Sequence, residues 1–289
     1  MVRFEFVHKH HQQYAIQALC RILNVSRQGY YLWRNRRPSR TQLRHNFLKE
    51  NIKRVFYEHK GRYGFPRIAQ QLYDEGIETN KRVVAILMRG MNLCAKGFHR
   101  RKSSYGRGKA IEEIVKENLL NRQFEQNQID AVWVADITYI PCSDGRLYLS
   151  TYIDLATRIP RCNMVDSRMK KEIVIQPLEV YKGELPTVIH SDRGSQYRSL
   201  TYQELLTDYH ITHSMSQPGT PVDNAVIESF HRSIKRELIE PNKHKSKIEM
   251  KVLIQDYLED YYPNKRIHTK FMMTPRQFET KKISNLTSC

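Results

Sequence analysis

The sequence predicts an α/β layer fold built on one mixed sheet, preceded by a basic all-α region. Three observations carry this prediction. From Ala131 the chain turns β-rich: Val132-Trp133-Val134-Ala135-Asp136-Ile137-Thr138-Tyr139-Ile140 alternates and is dense in β-branched and aromatic residues. Two further strand-like runs follow, and helical and strand patterns then alternate, which is the order of an α/β layer. The charge divides at the same place. Of the net +18 on 289 residues, residues 1–130 hold 26 Lys and Arg against 11 Asp and Glu, a balance of +15; residues 131–289 hold 22 against 19, a balance of +3.

Residues 13–37 read as two short helices about a tight turn. Ala15, Ile16, Leu19, Ile22 and Leu23 make the first apolar face, Asn24 and Val25 the turn, and Ser26 an N-cap before Tyr30, Tyr31 and Trp33. This spacing fits a helix-turn-helix whose second helix, opening at Arg27 and Gln28, enters a major groove; it also fits any helical hairpin. A helix over 43–59 follows. Then Gly61, Gly64 and Pro66 force a loop. A second helical pair over 67–74 and 80–89, with Asn80 as N-cap, would carry Arg62, Arg67, Lys81, Arg82 and Arg89 as a basic surface. Residues 96–109, with Lys96, Arg100, Arg101, Lys102, Arg107, Lys109 and three glycines, read as a basic linker suited to phosphate contacts.

In the second half, strands are expected over 132–140, 147–155 and 158–165, with Asp144-Gly145 as a hairpin turn. A helix over 170–181, a buried strand over 187–190, a helix over 200–209 and a strand over 211–215 follow. Pro221 and Asp223 open the next helix, whose apolar stripe is Ala225, Ile227, Phe230, Ile234 and Leu238. A last helix is expected over 246–262.

Composition narrows the functional classes. A basic module joined to a nearly neutral one suits a polyanion partner, nucleic acid by default, against the plainer reading of a basic protein with no such partner. No apolar run approaches the ~20 residues that span a bilayer, and the first ten residues lack the apolar core of a secretory signal. Cys20, Cys94, Cys142, Cys162 and Cys289 are odd in number and far apart, with no Cys-x-x-Cys. They read as reduced thiols of a cytosolic protein. His8, His10 and His11 lie near Cys20 without the second cysteine a zinc site wants.

Three carboxylates stand out. Asp136 lies in mid-strand, where an unpaired Asp is disfavoured. Asp192 follows a buried strand, and strand ends are where sites gather in α/β sheets. Glu228 sits beside the apolar stripe of its helix, with Lys235 seven residues on, on the same face at ~3.6 residues per turn. Each alone is equally a capping or surface residue. Together they are suited to hold two divalent ions, which prefer oxygen ligands. His190 either orients Asp192 or contacts phosphate, or simply packs at the strand end.

The local words carry a resemblance. Trp133-x-x-Asp136-x-Thr138-Tyr139, His190-Ser191-Asp192-x-Gly194-x-Gln196-Tyr197 and Asp223-Asn224-Ala225-x-x-Glu228-Ser229-Phe230 resemble the downstream-frame part of insertion-sequence-3 family transposases, which share the DDE signature with retroviral integrases. Upstream, Cys20-Arg21-x-Leu23-x-Val25-Ser26-Arg27-x-Gly29-Tyr30-Tyr31-x-Trp33 and Tyr63-Gly64-x-Pro66-Arg67-Ile68 are similar to that family. So are Tyr262-x-Asn264-x-Arg266-x-His268 and Thr274-Pro275 downstream. The resemblance spans roughly residues 15–280. Lys270-Phe271-Met272-Met273 departs from it, standing where a Leu-Gly-rich segment is expected.

The resemblance implies a ribonuclease-H-like catalytic fold, Mg²⁺ dependence with Mn²⁺ as a substitute, and cleavage and joining at terminal inverted repeats. It implies Asp136, Asp192 and Glu228 as metal ligands and Lys235 as a contact to terminal DNA. Arg232, Arg236, Asn224, Arg27, Gln28, Arg62, Arg67, Arg100, Arg101 and Lys102 are the further expected DNA contacts. The expected organisation is a DNA-binding region over 1–110, a linker over 111–130, a catalytic core over 131–240 and a helical extension over 241–289. Partners are expected to be terminal-repeat and target DNA, further copies of the chain, and an upstream-frame product, since no leucine-heptad helix precedes residue 15. The location implied is the bacterial cytoplasm, on the nucleoid when DNA-bound. Two other readings stay open: a metal-dependent nuclease of the same fold, and a non-catalytic DNA-binding repressor.

Overall fold

The computed structural model describes residues 2–96, 116–217 and 220–287. The chain opens with α1 (Val2–His10), α2 (Ile16–Ile22) and α3 (Arg27–Arg34). The α2–α3 pair is the expected one. Asn24 makes its turn at a φ of 52°, a left-handed conformation that asparagine tolerates. Ser26 caps α3, its Oγ accepting from Gly29 N–H at 3.0 Å. Val7, Leu19, Cys20 and Tyr30 form a small core of their own. The helix α1 has no counterpart in the apolar pattern: Val7 is the one residue it buries, so it carries no stripe to read.

A second helical unit, α4 (Arg40–Glu58), α5 (Phe65–Asp74) and α6 (Lys81–Gly90), closes on Ile52, Val55, Ile68, Leu72, Val84 and Leu87. Gly61 takes a φ of 72° in the α4–α5 loop, and Asn80 caps α6 by accepting from Val83 N–H at 2.9 Å. This unit docks on the end of the chain. Tyr63 Oη donates to the Lys265 carbonyl and accepts from Ile267 N–H, both at 2.8 Å. Docking corrects part of the expected basic surface. Arg62 is buried, its guanidinium 4.2 Å from the Tyr261 ring centre. Arg67 is nearly buried and pairs with Glu237 at 3.2 Å. Both found partners about 170 to 200 residues away, which their local sequence does not reveal. Lys81, Arg82 and Arg89 are exposed. Arg100, Arg101 and Lys102 lie outside the described residues.

The sheet comprises β1 (Val132–Cys142), β2 (Gly145–Asp154), β3 (Pro160–Asp166), β4 (Val188–Ser191) and β5 (Thr212–Met215), in the order β3-β2-β1-β4-β5. The β1, β2 and β3 strands run antiparallel; β4 and β5 run parallel to β1. Helices α7 (Glu172–Val180) and α8 (Leu200–Asp208) cover one face, over Trp133, Ala135, Ile189 and Met215. On the other face Val134, Leu149 and Ile153 meet α9 (Ala225–Ile234) and α11 (Lys247–Asp256). Each fully buried side chain of that size stabilises the fold by roughly 1.5–3 kcal/mol. A mixed sheet covered on both faces, with its meander first, is the ribonuclease-H-like arrangement.

The expected long helices are each interrupted. After a 3₁₀ turn at Pro221–Asn224, α9 passes into a π-helical segment at Lys235–Ile239, then a short α10 (Glu240–Asn242). The helix α11 likewise passes into a π segment at Tyr257–Lys265, and α12 (Pro275–Thr287) ends the described chain. Asp223 does not cap α9. It accepts from Arg122 at 2.8 Å, Thr220 Oγ1 at 2.7 Å and Asn118 at 3.1 Å, and these bonds hold its carboxyl down at about 2. The two π segments meet at Glu237. Its carboxylate takes Arg266 in two bonds of 2.7 and 2.8 Å, Tyr257 Oη at 2.9 Å and Arg67. Burial alone would raise this carboxyl; Arg266, and then Arg67, hold it at about 2.

Candidate active site

The site begins with strand register. In the parallel β1–β4 pair Ala135 lies beside Ser191, so Asp136 and Asp192 follow as the next neighbours. Adjoining strands are ~4.8 Å apart, and residues in register project to one face. That face is the one α9 covers: Val134 and His190, one pair earlier, share it. Along α9, Ile227, Phe230 and Ile234 point into the core, which turns Glu228 and His231 toward Asp136.

The Asp136 charge acts on both of the other carboxylates. Burial pushes the Asp192 carboxyl up to about 6, with the Asp136 charge adding to it and the Gly194 N–H, 2.9 Å away, opposing. Asp192 as a residue is exposed to solvent. Burial also raises Glu228, again with Asp136 as the next cause. Lys235 lies at the α-to-π junction with its Nζ 4.6 Å from the Tyr139 ring centre; burial lowers its pKa while Asp136 raises it. Among the described residues no three His, Cys, Asp or Glu side chains close into ligand geometry about a single point. Asp136 stands on the sheet face that α9 covers, Asp192 just past the end of β4, and Glu228 on α9. All are hard oxygen donors of the kind that suits a divalent cation.

His231 is the residue that sequence reasoning missed. It is buried, and its Nδ1–H donates to Asp136 Oδ2 at 3.1 Å. A carboxylate only accepts, so the proton sits on Nδ1; Nε2 has no hydrogen-bond partner. Helical arithmetic could have found it, since 228, 231 and 235 fall on one line of the helix.

His190, for which orienting Asp192 and plain packing stayed open, packs. It is fully buried. Leu119 N–H donates to Ser214 Oγ at 2.9 Å, which leaves the Ser214 hydroxyl proton for His190 Nδ1, at 2.8 Å, and His190 Nε2 meets Ser216 at 3.0 Å. Burial lowers it to about 4, so it is a neutral link between β4 and β5. Asn224 is likewise turned inward, its Nδ2 donating to the Ala135 carbonyl at 3.1 Å beside the aspartates. It braces α9 on β1 and offers no surface to DNA. Arg232 and Arg236 are exposed on the outer flank of α9, and Arg27 and Gln28 are exposed at the start of α3.

Comparison with known proteins gives the family. Two models described as "Integrase core domain" match residues 126–221 and 209–275, and an "HTH-like domain" model matches 43–103. The latter falls on α4–α6, beyond the α2–α3 pair. Fold and matches together define the class: an integrase-core polynucleotidyl transferase of the DDE type. The chain is 39% identical over 250 residues to the transposase for insertion sequence element IS904 of Lactococcus lactis, covering 85% of this chain and 98% of that protein. It is 33% identical over 291 residues to the transposase InsF for insertion sequence IS3A of Escherichia coli, covering 98% and 100%. The chain belongs to the IS3 family of insertion-sequence transposases. Among solved structures it is similar to the HTLV-2 integrase catalytic core domain in complex with magnesium, at 15% identity, TM-score 0.41, and 52% and 95% coverage. It is also similar to a chain of the simian T-cell lymphotropic virus intasome, at 14% identity, TM-score 0.44, and 72% and 73% coverage.

Proposed function

We propose that Asp136, Asp192 and Glu228 hold a pair of divalent ions, Mg²⁺ with Mn²⁺ as a substitute. With them the chain cuts at the terminal inverted repeats of its element and joins the freed 3′ ends to target DNA. What supports this reading is the parallel register that ends at Ala135 and Ser191, one residue before Asp136 and Asp192, together with the Asp136 charge acting on both Asp192 and Glu228. Two neighbouring carboxylates repel, and a bound cation relieves that repulsion. Such ions, when bound, activate water or a 3′-hydroxyl and stabilise the leaving oxygen.

The chain's own residues do the rest. His231 fixes one oxygen of Asp136 and so orients the carboxylate, as partners of metal ligands do. Lys235, over Tyr139, presents a cation to a phosphate beside the carboxylates. Arg27 and Gln28 open a helix positioned to read a major groove. No serine or tyrosine nucleophile is required. Residues 1–110 form the DNA-binding part, 111–130 the linker, 131–240 the catalytic core and 241–289 its extension. The working form is an oligomer on DNA in the bacterial cytoplasm, with an upstream-frame product as partner or fusion.

The test is a joining assay: a terminal-repeat duplex with a free 3′-hydroxyl is incubated with plasmid and Mg²⁺. Covalent joining that requires both the hydroxyl and the ion is expected. Hydrolysis without joining would make the chain a nuclease, and binding without either reaction would make it a repressor.

A further inference from the structure

A cavity of about 460 Å³ lies along the flank of α9 next to the one that carries Glu228. At ~100° per residue, Ser229, Arg232, Ser233 and Arg236 share that flank, while Glu228, His231 and Lys235 share the other. The cavity is walled by five arginines and a lysine, and among the described residues no carboxylate lines it. Part of this charge is already answered: Arg67 and Arg266 share Glu237, and Lys270 pairs with Glu125 at 2.9 Å.

Arg158 is the exception. It is 6% exposed; its Nη2 donates to the Phe124 carbonyl at 2.9 Å, and its Nη1 is buried with no hydrogen-bond partner. An unpartnered buried polar group of this kind costs roughly 1–3 kcal/mol, more when charged. Its backbone is also unusual. Arg158 adopts a φ of 64°, where glycine is the natural occupant. The Asp154 turn enforces this, with Arg158 N–H donating to the Asp154 carbonyl at 2.8 Å and the Asp154 carboxylate taking Thr157 N–H at 2.9 Å. A strained turn thus sets a buried, incompletely bonded guanidinium into the wall of a cationic cavity, where its charge is available to an anion. Beside it, burial and the Arg266 charge lower His268 to about 3, so its imidazole is neutral and adds no further charge. Ile153, Phe230 and Tyr262 supply an apolar floor.

We propose that this cavity is a second phosphate-binding pocket, anchored by Arg158 with Arg232 and Arg236, that takes a backbone phosphate of the DNA strand. The proposal rests on the reading of the carboxylate groove as the cutting site. The pocket holds a phosphate of the strand other than the scissile one, and fixes the register in which the strand crosses α9.

The test measures binding of a fluorescent terminal-repeat duplex to the full chain, without divalent ions, across a salt series. Omitting the metal separates this proposal from the cutting reaction, so a failure of one is distinguishable from a failure of the other. Arg232→Ala/Arg236→Ala, an exposed pair whose loss spares the core, and Arg158→Gln are each expected to weaken binding about ten-fold and to reduce the slope of log K against log salt by about 1–2. A scan of single neutral methylphosphonate linkages locates the phosphate. One position near the cut, other than the scissile phosphate, should weaken the wild type and leave the Arg158→Gln variant unaffected. Should Arg158→Gln not fold, the double variant alone decides. An unchanged slope in the double variant overturns the proposal. So does a thermal shift with inorganic phosphate, lost in the variants, whose DNA affinity stays at the wild-type level: that result makes the pocket a small-anion site.

Discussion

Replacing Glu237 with glutamine tests how the α4–α6 unit is held to the end of the chain. The substitution keeps the shape and one acceptor oxygen but removes the charge that Arg266 and Arg67 share. The magnitude can be worked in two ways. A carboxyl held at about 2 instead of an ordinary glutamate value of 4.5 corresponds to about 3 kcal/mol. Breaking a buried ion pair by removing one partner costs about 3–5 kcal/mol, because the other charge is left uncompensated. Arg266 is 3% exposed, so solvent cannot take over. The sign follows from the depressed folded value: the stabilisation is full above the unfolded pKa near 4.5 and is lost as pH falls through about 2. Urea unfolding of wild type and Glu237→Gln should therefore differ by about 3 kcal/mol at pH 7, and by less than half of that at pH 3. A difference under 1 kcal/mol at pH 7, or one that stays constant down to pH 3, would refute the reasoning.

Three further predictions concern the site and its DNA. His231→Ala should slow cleavage about 10–100-fold by freeing Asp136 to rotate, while DNA affinity measured without divalent ions stays within two-fold, roughly; equal loss in both readouts would mean a folding defect. Lys235→Ala should reduce joining and crosslinking to a terminal-repeat oligonucleotide without moving the Mg²⁺ requirement, and Lys235→Arg should keep much of the function, because one phosphate contact needs charge more than shape. A shifted Mg²⁺ requirement would instead make Lys235 a direct support of the carboxylates. Arg27→Ala/Gln28→Ala should lower the preference for terminal-repeat over random duplex in a competition assay, by about 1–3 kcal/mol for each lost base contact, and an unchanged ratio would take α3 out of the major groove.

Much of the architecture was legible because it depends on local pattern. The β-rich run around Asp136, the Asp144-Gly145 turn, the Ser26 and Asn80 caps and the alternation after residue 170 each follow from short-range chemistry, and each appears in the structure. What was illegible depends on partners remote in sequence. Arg62 and Arg67 read as surface cations because nothing near them says that Tyr261 and Glu237 will enclose them. Asn224 read as a DNA contact because its hydrogen bond goes to a carbonyl 89 residues upstream. The π segments at Lys235–Ile239 and Tyr257–Lys265 leave the apolar stripe nearly in phase, so periodicity reads straight through them. His231 lies between these cases. Its helical phase was available, but its partner Asp136 is fixed by the packing of α9 on β1.

The central claim is that two strand aspartates and one helix glutamate act as a single metal-holding unit. Its most direct test is Mg²⁺-dependent cleavage of a terminal-repeat end by Asp136→Asn, Asp192→Asn and Glu228→Gln, with DNA affinity measured on the same samples. Removing any one ligand charge destroys a two-ion geometry, whereas affinity rests mainly on Lys and Arg elsewhere. Each variant is predicted to lose cleavage below detection while binding DNA within about three-fold of wild type. Near-wild-type cleavage by any one of them would contradict the claim and remove that residue from the site.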